Sequence, residues 1–145
     1  MARFENLNVT KINYSGIGAG QTGPGAFYIE GKNINISANA TTDTQTTQAL
    51  VIPAGTHVIN VFSHVVTAAN ATCTATLGDG DSATGWDAAI NLTAAAGTRL
   101  AGVIGTDAFA VGKRYASADT IDATITFSTT TTTGVFRLDA LCTKF

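Results

Sequence analysis

The residue types that could do chemistry converge on one stretch, Leu77-Gly78-Asp79-Gly80-Asp81-Ser82-Ala83-Thr84-Gly85-Trp86-Asp87. Asp79 and Asp81 stand at alternate positions, as the first ligands of an EF-hand calcium loop do. The rest of that pattern is missing. The glycine that makes the sharp turn is replaced by Thr84, and the closing bidentate carboxylate by Ile90. The stretch therefore predicts a Gly-rich hairpin loop with surface acids. Trp86, just after it, reads as a packing anchor or contact residue rather than a cofactor platform.

Other candidates fail on spacing. His57 and His64 lie an odd number of positions apart, so a strand sends them to opposite faces and they cannot chelate together. Ser63 and His64 are chain neighbours and also point apart, which excludes a nucleophile–base pair on one strand. Asp119 and Asp122 fall on opposite faces in the same way and form no glycosidase dyad. Gly16-Ile17-Gly18-Ala19-Gly20 has Gln21 next, and no helix pattern follows, so it lacks the dinucleotide fingerprint. The sequence thus offers no catalytic residue, no cofactor-binding residue and no metal ligand set, and no enzymatic activity is expected. Cys73 and Cys142 share strand faces with apolar neighbours and read as buried free thiols acting as small hydrophobes.

The elements that would carry these residues are strands. The chain has 145 residues, 45% hydrophobic and only 12% charged, with a net charge of −2. Eight basic residues against 10 acidic ones supply no nucleic-acid patch. No apolar run approaches the length of a membrane-spanning helix. Met1-Ala2-Arg3-Phe4-Glu5-Asn6 does not resemble a signal peptide, so synthesis in the cytoplasm is expected. The N-x-S/T matches at Asn8, Asn13, Asn35, Asn39, Asn70 and Asn91 then follow from composition.

Period-two alternation recurs along the chain. It sets Cys73, Ala75 and Leu77 against Thr72, Thr74 and Thr76. It sets Ile121, Ala123, Ile125 and Phe127 against Thr120, Asp122, Thr124 and Thr126. In the last strand Phe136, Leu138, Ala140 and Cys142 point in, while Arg137, Asp139 and Leu141 point out. Residues 57–66 are apolar on both sides, with Ile59, Val61 and Val65 opposed to Val58, Phe62 and Val66. Such a strand is central in a sandwich or covered on its second face by another subunit. Further strands are expected in 88–92 and 98–104, and the Thr-rich 128–134 as a flexible or edge-like turn. No segment repeats at 3.6 residues. Seven or eight short strands between turn signals predict an all-β fold, an antiparallel β-sandwich of jelly-roll-like type. Residues 1–48 read as an extended Gly/Thr-rich arm with short edge strands, and residues 49–145 as the sandwich domain.

The ordered motifs also carry a resemblance. Ile52-Pro53-Ala54-Gly55 opens the doubly apolar strand; Leu77-Gly78-Asp79-Gly80-Asp81 and Gly85 follow. Leu92-Thr93-Ala94-Ala95-Ala96-Gly97 comes next, then Ala118-Asp119-Thr120-Ile121-Asp122, and Gly134 before a strand ending in Ala140-Leu141. Over residues 49–145 this order resembles small virion structural proteins of tailed bacteriophages, the capsid decoration (cement) and head-fibre type. The resemblance implies a β-sandwich without enzymatic activity, assembled as a homotrimer on the capsid surface. Its implied partners are the major capsid protein and further copies of itself, with no nucleic acid, membrane or cofactor. A rival expectation is a receptor- or carbohydrate-binding tip domain of a phage fibre or tail. There Trp86, Tyr115, Asp79 and Asp81 would form the binding surface.

Overall fold

Strands whose alternate residues are apolar must bury one face, and here two sheets bury theirs against each other. A computed structural model describes residues 27–36, 44–101, 108–128, 130–131 and 133–144. The described strands are β1 (Phe27–Asn35), β2 (Thr44–Ile52), β3 (Thr56–Thr67), β4 (Cys73–Gly78), β5 (Asp87–Asn91), β6 (Arg99–Ala101), β7 (Lys113–Tyr115), β8 (Asp119–Phe127) and β9 (Val135–Lys144). One sheet runs β1-β9-β3-β6, with β7 also paired to β3, and the other runs β2-β8-β4-β5. Every pairing is antiparallel. Successive strands β1 to β4 alternate between the sheets, and β8 and β9 return between earlier strands of each. This is jelly-roll-like wiring, so the expected all-β sandwich is the fold observed.

The core lies between the sheets. From β8 it takes Ile121, Ala123, Ile125 and Phe127, and from β9 Phe136, Leu138, Ala140 and Cys142. These are the inward faces that alternation predicts. Cys73 on β4 and Cys142 on β9 are both buried free thiols. Burial, with Glu30 nearby, pushes the Cys142 thiol up to about 11, so it stays protonated near neutrality.

Three expectations change. In β3 the pairing slips between Val58 and Asn60. This bulge inverts the parity of what precedes it, so Val58 joins Val61 and Val65 in the core while Ile59 is half-buried. Ile59 and Val58 therefore exchange the sides that strict alternation assigns them. In the Thr-rich turn Thr131 is fully buried. Nearby, Asn70 and Thr133 exchange hydrogen bonds of 3.2 and 3.3 Å. The third change concerns the boundary between 48 and 49, which falls inside the continuous strand β2. Residues 1–26 and 37–43 of the expected arm lie outside the described residues. The rest is built into the sandwich. β1 pairs with β9 along its whole length, and Ile34 and Ile36 sit in the core. Tyr28 Oη and Thr56 Oγ1 lie 3.2 Å apart, joining β1 to β3 across β9. The Thr/Gln run looked like a linker because one of its faces is solvated and the other reaches apolar residues only at Ala49, Leu50 and Ile52.

A chain beginning at residue 49 loses β1 and the first half of β2. It is expected to show no cooperative thermal transition by circular dichroism, whereas the full chain shows a single one. Shortening Leu138 to Ala, at 0% exposure, is expected to cost about 2–5 kcal/mol in urea unfolding.

Candidate functional site

The acidic loop leaves β4 at Gly78. A Cβ on Gly78 would run into the backbone of Ser82 and Ala83, so only glycine lets the loop close this tightly. Asp79 N–H donates to Ser82 O at 2.9 Å, and Trp86 N–H returns to Leu77 O at 3.0 Å. The Asp79 side chain turns inward and is 0% exposed, whereas that of Asp81 is 77% exposed. The expectation of surface acids therefore holds for Asp81 and fails for Asp79.

Asp79 is sealed by donors. Its Oδ1 accepts the backbone N–H groups of Asp81 and Ser82 at 3.0 and 3.2 Å. Its Oδ2 accepts Lys113 Nζ at 2.6 Å and Tyr115 Oη at 2.7 Å. Lys113 Nζ also donates to Asp81 Oδ2 at 2.6 Å. Trp86 Nε1 donates to Tyr115 Oη at 3.3 Å. Phe109 closes the side. Its ring lies 5.2 Å from that of Trp86, tilted by 58°, and its main chain donates to Gly85 O at 2.8 Å. A Cβ on Gly85 would collide with the Phe109 ring. Lys113 Nζ sits 4.4 Å from the Phe109 ring centre and 4.9 Å from that of Tyr115, within cation–π range of both.

Charge follows from these contacts. Burial alone would raise the Asp79 carboxyl, but the bonds from Lys113, Tyr115 and two backbone amides outweigh it and hold it below the ordinary carboxylate range. Burial would likewise lower the Lys113 ammonium, and Asp79 and Asp81 together hold it raised. The Tyr115 phenol is pushed up by burial and by its bond to the Asp79 carboxylate, so it remains a donor. The loop that opens like a calcium site does hold a cation, and that cation is the chain's own lysine.

The residues of the rival binding surface, Trp86, Tyr115, Asp79 and Asp81, are brought together. Trp86 and Tyr115 are only 6% and 3% exposed, so neither offers a ring face to a ligand. A cleft of about 320 Å³ opens beside them, lined by Asp81, Lys113, Arg114, Tyr115, Ser117 and Asp119 among others. The other sequence candidates stay apart. Ser63 Oγ donates to Leu100 O at 3.2 Å rather than to a histidine. His64 Nδ1 lies 4.0 Å from Asp139 Oδ2. Asp122 accepts Thr120 Oγ1 at 2.8 Å, and Asp119 lies in the cleft wall. Among the described residues no three His, Cys, Asp or Glu side chains are grouped to hold a metal ion. Sequence reasoning missed Lys113, because β7 is only three residues long and too short to show a period, and Phe109, which lies on the turn before it.

No protein-family model matches the chain, and no curated protein matches it. Among solved structures it is similar to a chain of the acidic stable capsid structure of Helicobacter pylori bacteriophage KHP30. The identity is 13%, the match covers 79% of this chain and 93% of that chain, and the TM-score is 0.48.

Lys113→Met leaves a buried carboxylate without its counter-ion. It is expected to cost about 3–5 kcal/mol by urea denaturation, with Tyr115→Phe costing about 1–3 kcal/mol. The Asp79 group is more acidic folded than unfolded, so its contribution is complete above the unfolded value of about 4 and is lost as pH falls below that. Lys113 and Tyr115 are raised in the fold, so theirs is complete below about 10 and is lost above it. A pH series of urea midpoints is expected to show both losses in the native protein, and the acid loss diminished in Asp79→Asn.

Proposed function

We propose that the chain is a structural protein of a tailed-bacteriophage virion. In this reading it is a decoration (cement) protein that binds the head surface as a homo-oligomer, stabilises the shell, and has no enzymatic activity. Its partners are the major capsid protein and other copies of itself. The observation that carries the reading is the closure of the Asp79–Lys113–Tyr115 cluster on itself. The group that most resembles a reactive or ligand site serves to brace a loop, which leaves the sheet faces as the working surface.

Those faces suit permanent protein contact. On the four-stranded sheet, register places Thr44, Thr126 and Thr74 in one row and Thr46, Thr124 and Thr76 in the next. Thr46 Oγ1 and Thr124 Oγ1 are 3.2 Å apart. Threonine is stiff at χ1 and uncharged, so such a surface is ordered at low cost in a contact and costs less to desolvate than charged groups when its hydroxyls find hydrogen-bond partners there. Jelly-roll wiring is used by both viral capsid and lectin domains, and the ordered motifs of residues 49–145 favour the former.

Purified protein mixed with shells of the major capsid protein of its own virion is expected to co-sediment and to raise the temperature at which the shells open. Absence of binding at micromolar protein, together with retention on a glycan array, would replace this reading with the tip-domain one.

A further inference from the structure

The doubly apolar strand β3 has only one side accounted for by the core. Val58, Val61 and Val65 pack inward, and no other sheet covers the opposite side among the described residues. Across that outer face the register aligns Ile29, Leu141 and Asn60 in one row and Gly31, Asp139 and Phe62 in the next. Phe27 and Ile29 are each 55% exposed. Leu141 and Phe62 are half-buried, the latter with the Arg99 guanidinium 5.1 Å from its ring centre. These apolar groups form a strip along the β1 side, Phe27, Ile29 and Leu141. Beside it, in the middle of the face, Arg137 Nε donates to Asp139 Oδ1 at 2.9 Å, and His64 and Asn33 lie in the row of Arg137. Exposed apolar area set beside polar, hydrogen-bonding groups is how protein interfaces are composed.

We propose that this outer face of the five-stranded sheet is where a second copy of the chain packs. The inference rests on the reading of the protein as a homo-oligomer and names the surface that makes it one. Four strand positions spaced about 4.8 Å apart and about nine residues long give a projected area of roughly 600 Å². That approaches the roughly 800 Å² per partner of a standard interface, so a seated copy would bury most of what a stable contact needs. A copy also has an apolar group to present. Val111, on the turn before β7 and outside these rows, is 92% exposed. A contact between two different patches of one chain is head-to-tail, and it makes a ring when its rotation closes and an open filament when it does not.

The test compares three full-length proteins by light scattering and circular dichroism. The native chain is expected to show a multiple of 14.8 kDa. Ile29→Lys, which places a charge in the apolar strip without touching the core, is expected to fall to 14.8 kDa with an unchanged β spectrum and melting transition. Ala96→Lys, exposed on the turn before β6 and outside both sets of rows, is expected to keep the native mass. A native monomer at several hundred micromolar overturns the inference, and so does an Ile29→Lys protein that keeps the native mass. Shell binding is scored separately. An oligomer that Ile29→Lys dissociates but that ignores capsid shells upholds this interface and removes the decoration reading.

Discussion

A carboxylate withdrawn from water can stay charged only if every lone pair meets a donor, and Asp79 meets that condition with two amides, a phenol and an ammonium. The consequences spread from there. To reach Asp79, Lys113 and Tyr115 must lie on a strand beside β3, which places β7. To keep the Tyr115 hydroxyl in line, Trp86 donates to it, which orients the end of the loop. To shield Lys113, Phe109 packs over it and takes up the space that Gly85 leaves. One sealed charge thereby joins the end of β4, the turn after residue 108 and β7.

The same network explains why a loop with the first letters of a calcium site behaves as a brace. A calcium ion needs six or more oxygens at short range. Here two carboxylates already share one ammonium, which supplies the positive charge. The rings around Lys113 add cation–π contact and limit hydration, which strengthens the pair. In the proposed reading, recognition is left to the sheets, to the threonine rows of one and the apolar strip of the other.

Membership of the sandwich is a second constraint. β1 is mostly solvated and β2 half so, yet both sit at sheet edges, where one buried residue in β1 and three in β2 are enough. They are Ile34, with Ile36 just beyond β1, and Ala49, Leu50 and Ile52. Lys32 Nζ reaches Gln48 O at 3.2 Å between the two edge strands, a charged group at an edge that also discourages unwanted strand pairing. Composition cannot separate such edge strands from a linker, since both are rich in Thr, Asn and Gln.

Period-two alternation by itself determined the fold class, the inward faces of β4, β8 and β9, and the burial of both cysteines. Alternation is a local property, and a strand with one apolar face has a single way to satisfy it. The parting of Ser63 from His64 was legible for the same reason, because chain neighbours on a strand point apart. The histidine pair was not, since the bulge at Val58/Asn60 returns His57 to the outer face that also carries His64. Tertiary structure alone decided the rest. The bulges at Val58/Asn60 and Gln48/Leu50 reassign faces because an extra residue is absorbed only where a partner strand dictates it. Lys113 meets Asp79 across 34 positions because β7 docks on β3, and no spacing within the loop encodes that meeting. A contact made by closing a long loop leaves no periodic mark on the residues between, so only the folded chain reveals it.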